Sequence, residues 1–147
     1  MTETATTTEI RLPRKLDEKL ELLTASASIT VRPASTGTFS NTPYPERKGR
    51  LHVFDAPDPE MELPPYKRDG EDAAIDEAWR RYNREERRIM RVYAEEGIAA
   101  LGICGIQTED VKLRFSRKAG CSCGCSPAFY VDNEALRGMD IFVHAAK

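Results

Sequence analysis

Apolar residues recur at three- and four-residue steps through one long stretch of the chain: Ile75, Ala78, Trp79, Tyr82, Ile89, Met90, Tyr93, Gly97, Ile98 and Leu101. This is the stripe of a helix with one buried face, and it predicts a helix over about residues 71–101. Asp69 or Gly70 can cap its start, Glu71 and Asp72 suit the positive end of the helix dipole, and Gly102 is a natural stop. After the helix the period falls to two. Val111, Leu113 and Phe115 alternate with Lys112, Arg114 and Ser116, the pattern of a half-buried strand. Phe129–Val131 and Ile141–Val143 predict two further strands, and Leu51–Phe54 a brief earlier one.

The first half is less regular. Residues 1–8 are Thr-rich, polar and without period, as in a tail. Leu12, Leu16, Leu20 and Leu23 then fall at helical spacing, and Pro13 suits a first helical turn, so a short amphipathic helix is predicted over residues 13–25. Pro33, Gly37, Pro43, Pro45 and Gly49 mark a loop; Pro57, Pro59, Pro64 and Pro65 mark an acidic, extended linker. The expected organisation is a tail (1–8), a short helix with proline-rich extended arms (9–70), and an α+β module (71–147). In that module one long helix packs on a small antiparallel sheet with a thiol-rich turn.

A chain of 147 residues with 40% hydrophobic and 31% charged content is long enough to bury a core without staples. Its formal charge of −2 excludes nucleic-acid binding through bulk charge, so any such contact needs a local patch. The N-terminus lacks both the basic and the apolar region of a secretory signal, and the longest apolar run, Ile98–Ile106, falls far short of a membrane span. A cytoplasmic location and reduced cysteines are therefore expected.

That expectation matters because of the segment Gly120-Cys121-Ser122-Cys123-Gly124-Cys125-Ser126-Pro127. Alternate residues of an extended chain share a face, so the three sulfurs start on one side. A bend must bring them closer, and Gly120, Gly124, Ser122, Ser126 and Pro127 are turn residues. Thiolates around such a bend form a soft site suited to zinc, copper(I) or an iron–sulfur cluster. Zinc closed by four ligands is the leading expectation: Cys121, Cys123 and Cys125, with Cys104 as the fourth. His144 is the alternative fourth ligand, and His52 a weaker one. The competing readings are redox thiols, activated by Lys118 beside them, and small cysteines that merely pack a tight turn. Cys104, in an apolar run, equally suits core filling, and His144 an ordinary sheet position.

Arg80, Arg84, Arg87 and Arg91 line one helix face and, with Lys118 nearby, form a candidate anion or nucleic-acid contact. Against this, Asp76, Glu77 and Glu95 stand four residues from Arg80, Arg81 and Arg91, the spacing of a solvated, salt-bridged surface. No phosphate-binding glycine loop, GxSxG or HExxH is present, and the carboxylates are scattered.

The segment from Arg117 to Pro127 resembles a turn of small actinobacterial and actinobacteriophage proteins. The resemblance covers that turn and its flanking strands, implies a phage or accessory bacterial origin, and carries no activity with it. The expected function is therefore a non-enzymatic binding or accessory protein with a structural zinc turn, its partner another protein. The alternatives are a thiol redox or metal-transfer protein and a nucleic-acid-binding module that uses the arginine-rich helix.

Overall fold

The computed structural model describes residues 10–36, 42–65, 73–119 and 127–146. The long apolar stripe forms helix α1, Ala73–Ala100, which buries Met90, Ala94, Gly97 and Ile98. The chain then tightens into a 3-10 turn, Leu101–Cys104. The stop falls at Gly105, at φ 83°, where the left-handed backbone returns its N–H to the carbonyls of Gly102 and Leu101.

Six strands form one sheet: β1 (Leu20–Leu23), β2 (Ala27–Pro33), β3 (Gly49–Phe54), β4 (Lys112–Ser116), β5 (Ala128–Asp132) and β6 (Met139–Ala145). Their order is β1-β2-β6-β3-β5-β4. The fold is α+β, one long helix on a sheet. The sheet is mixed, because β3 and β6 pair in parallel, Arg50 with Asp140 through to Phe54 with His144. All other neighbouring strands are antiparallel. No helix among the described residues is long and apolar enough to cross a membrane.

In place of the expected helix over residues 13–25, the chain forms β1, paired from Leu20↔Val31 to Leu23↔Ser28. Four leucines at helical spacing carry little preference on their own, because a short helix in water is marginal. Pairing on β2 supplies a hydrogen-bond ladder and packs Leu20 and Leu22 against the core. Thr24 closes the hairpin: its N–H donates to the Ala27 carbonyl at 2.9 Å, and its hydroxyl oxygen accepts from the Ala27 N–H at 3.0 Å. Ser26 donates its hydroxyl to the Glu96 carboxylate and so fastens the hairpin to α1.

Three of the strands thus come from residues 9–70, and β3 lies between β6 and β5. The sheet cannot be divided at residue 70. The proline-rich stretch after β3 is irregular, as its composition predicts, but Pro59 and Pro64 are buried. Trp79 of α1 donates its indole N–H to the Pro65 carbonyl at 2.9 Å.

The core lies between α1 and one sheet face, where Ile29, Val31, Leu51, Phe129, Val131, Ile141 and Val143 are all sealed from solvent. These are the alternate residues of β2, β3, β5 and β6, the period of two made physical. Ala94 and Gly97 let the helix sit low on the sheet. A Cβ at Gly97 would meet Val143 Cγ2 at 2.7 Å. Gly97→Ala should therefore cost stability: about 1–3 kcal/mol of overpacking against at most about 1 kcal/mol of improved helix propensity. A urea midpoint equal to or above wild type would show that the helix can lift from the sheet without penalty.

Candidate functional site

The other parity of the same strands forms the open face of the sheet, and no helix among the described residues packs across it. Pairing registers align one row over five strands: Arg32, Asp140, Arg50, Tyr130 and Arg114. A second row aligns Thr30, Phe142 and His52, and a third Ser28, His144 and Phe54. Strands about 4.8 Å apart bring such partners into contact.

The rings form a continuous stack. His52 lies 5.0 Å from Phe142 with an 11° interplanar angle, and Phe54 lies 4.8 Å from His144 at 22°. The pairs join through His52–Phe54 and Phe54–Phe142, each 6.2 Å between centroids. Phe54 is 40% exposed, an uncommon position for a phenylalanine at the end of a central strand.

Cations surround these rings. The Arg32 guanidinium lies 4.7 Å over Phe142, the Arg114 guanidinium 4.7 Å over Tyr130, and the Lys48 ammonium 5.9 Å over Tyr130. Arg50 pairs with Asp140 at 3.3 Å and donates to the Ala119 carbonyl at 2.7 Å. Burial, and then the field of Arg50, hold the Arg47 guanidinium below its ordinary pKa. In the five-strand row the charges are Arg32, Arg50 and Arg114 against Asp140. A chain of net negative charge thus carries a local basic, aromatic surface.

His52 is half-buried, and burial is the main cause that holds its pKa below 6.5, the Asp140 carboxylate opposing it. A depressed histidine is neutral in the fold while the unfolded chain takes up a proton. Its contribution to stability is complete above pH 6.5 and is lost as pH falls through the lower folded value. Urea midpoints at pH 7.5 and 5.5 should therefore drop for wild type, and drop less for His52→Gln. An equal drop in both proteins would remove His52 from the account.

At one end of this face lies a cavity of about 510 Å³, lined by His52, Phe54 and Phe142 on the sheet side, Glu86 and Met90 of α1, and Pro127. It opens where β5 stops short: β3 pairs with β5 only up to Leu51↔Phe129, whereas its pairing with β6 continues to Phe54↔His144. β3 is followed by Asp55, at φ 61°, a left-handed conformation that aspartate tolerates. Asp55 and Asp58 add carboxylates to the cavity wall. Burial, and then the nearby carboxylates of Asp58 and Glu86, raise the pKa of the Tyr82 phenol.

Cys121, Cys123 and Cys125 lie outside the described residues; their flanks do not. The last β4–β5 pair is Ser116↔Ala128, Arg50 holds the Ala119 carbonyl, and Pro127 stands beside the ring stack. Ala119 and Pro127, which flank the cysteine segment, thus lie at the rim of the open face, and Lys118 is exposed. Cys104 closes the 3-10 turn that follows α1. It packs partly buried against the core beyond the far end of α1, and burial pushes its thiol pKa up. His144 sits on the open face, exposed, against Phe54. Among the described residues no three His, Cys, Asp or Glu side chains gather as a metal site.

The arginine stripe of α1 divides. Arg80 pairs with Glu77 at 2.7 Å, and on the neighbouring face Arg88 pairs with Glu85 at 2.5 Å; both pairs are i,i+3. Arg87 and Arg91 fold against the β4–β5 end of the sheet, over Phe115 at 4.6 Å and Phe129 at 5.1 Å, and Arg91 donates to the Leu113 carbonyl. Arg84 is exposed. These arginines therefore present no common row to one ligand. Sequence reasoning missed the open-face row, although β6 carries a signal: Phe142 occupies the polar parity of an otherwise alternating strand.

No protein-family model matches the chain, and no curated protein or solved structure matches it significantly.

Proposed function

We propose that the chain binds single-stranded nucleic acid on the open face of its sheet. The observation that carries this reading is the open-face ring stack of His52, Phe54, Phe142 and His144, with Phe54 and His144 exposed, His52 and Phe142 half-buried, and Arg32 over Phe142. Unpaired bases present flat π-faces that stack on aromatic rings or guanidinium planes, while their phosphates seek cations at the edges. Phe54 and Phe142 take bases; Arg32, Arg114 and Lys48 take phosphates or stack in turn. Duplex DNA, whose bases are already stacked, has no use for the rings. A protein partner, the sequence-based expectation, also favours aromatic and arginine anchors. The run of cations around one sheet face favours the polyanion.

The thiol turn belongs to this reading as a scaffold. Its thiolates hold a zinc ion that fixes the rim of the face, and ordering the turn in this way contributes to folding. Protein purified without chelators should carry about one zinc per chain and lose it in Cys123→Ser; metal-free protein with titratable thiols would remove the zinc.

Fluorescence anisotropy with a labelled single-stranded decamer, its duplex, and a series of salt concentrations tests the main reading. Binding should prefer the single strand. Its affinity should fall with a log–log salt slope of about −2, as expected for three phosphates contacted at roughly −0.7 each. No binding at low salt, or a preference for duplex, would overturn it.

A further inference from the structure

Resting on the reading above, we infer that the cavity at the end of β3 is a specificity pocket that takes one nucleobase bearing an exocyclic amino group. His52, Phe54 and Phe142 belong both to the ring stack and to the cavity lining, so a strand lying along the stack leads directly into it. Its volume of about 510 Å³ falls within the range of small-ligand pockets. Met90 and Pro127 add apolar lining to the rings, which suits a flat heterocycle.

The charges decide which part of a nucleotide enters. Asp55, Asp58 and Glu86 line the cavity, and among the described residues no lysine or arginine does. Phosphate is repelled, so the base goes in and the backbone stays out toward the cations of the face. A carboxylate accepts hydrogen bonds and donates none, so it rewards the amino groups of cytosine, adenine and guanine. Thymine and uracil present a single N–H, at N3, flanked by two carbonyl oxygens that a carboxylate repels, so they satisfy it less well. The pocket therefore reads amino-bearing bases against thymine and uracil.

The test compares oligo-dT decamer with the same decamer carrying one central cytosine, by anisotropy at neutral pH. The cytosine should tighten binding by about five-fold or more, the lower end of the discrimination that one well-placed base contact gives. Glu86→Ala or Asp58→Ala, which remove the accepting oxygens, should bring the ratio of cytosine-decamer to oligo-dT affinity close to one; Asp58 is exposed and Glu86 half-buried, so the fold should tolerate either change. Equal affinity of wild type for the two decamers, with oligo-dT still bound, would overturn the pocket and leave the open face in place. A cytosine gain that survives both substitutions would equally overturn it. Failure to bind either decamer would overturn the open-face reading and the pocket with it.

Discussion

Replacing Phe54 and Phe142 together by alanine should weaken single-strand binding by about 30-fold or more, with the circular-dichroism spectrum unchanged. Each base stacked on an aromatic ring contributes roughly 1–3 kcal/mol by alanine substitution, so two stacking sites contribute at least about 2 kcal/mol together. The two rings are 6.2 Å apart and each stacks on a histidine, Phe142 on His52 and Phe54 on His144. Removing both therefore breaks the whole row. Neither ring belongs to the buried core, so the melting transition should stay cooperative. Unchanged affinity in the double variant would show that the strand does not run over the rings, whatever else binds it. Arg32→Gln and Arg114→Gln should behave differently. They should lower affinity less, and each should flatten the salt slope by about 0.7.

Phe129→Ala should lower stability by about 3–5 kcal/mol, the cost of emptying a large core position that cannot fully collapse. Phe129 is completely buried in β5, meets Phe115 edge-on at 5.5 Å, and lies under Arg91 at 5.1 Å. Against a typical total of about 5–15 kcal/mol this is a large fraction, so the variant should be marginal at 37 °C. Urea denaturation measures it directly, and a loss below about 1 kcal/mol would mean that α1 settles into the gap. Its neighbour Tyr130 points to the opposite face, beneath Arg114. Well below its midpoint, Phe129→Ala should thus bind oligonucleotide almost as wild type does, which separates the two faces experimentally.

The helix and the strands β3 to β6 were legible in the sequence because each carries its own period. Residues such as Ile141 and Val143 must face a core if they alternate with Asp140 and His144. β2 was legible in principle, since Ile29 and Val31 alternate with Ser28, Thr30 and Arg32, but the leucines before it drew attention to a helical spacing. That spacing was accidental. Nothing local in residues 20–23 outweighs a neighbouring strand with a free edge. The ring stack was illegible for a different reason. His52 and Phe142 become partners only through the parallel pairing of β3 with β6, and no local pattern announces a pairing across that separation. The division of the arginine stripe was hidden similarly: Arg87 and Arg91 are drawn from the helix surface by Phe115 and Phe129, rings that lie on other elements.

The position of β6 between β2 and β3 has a bearing on how the molecule is made. As the chain leaves the ribosome, β2 and β3 emerge early and must wait, through all the residues between Phe54 and Met139, for the strand that joins them. Until then each offers an unsatisfied backbone edge to any passing strand, a state prone to misassociation. Contacts so distant in sequence also close slowly. Because the row of rings is shared between β3 and β6, the proposed binding surface does not exist in any shorter nascent form. A chain stalled before β6 would be both sticky and inert, and competence to bind would arrive in a single late step.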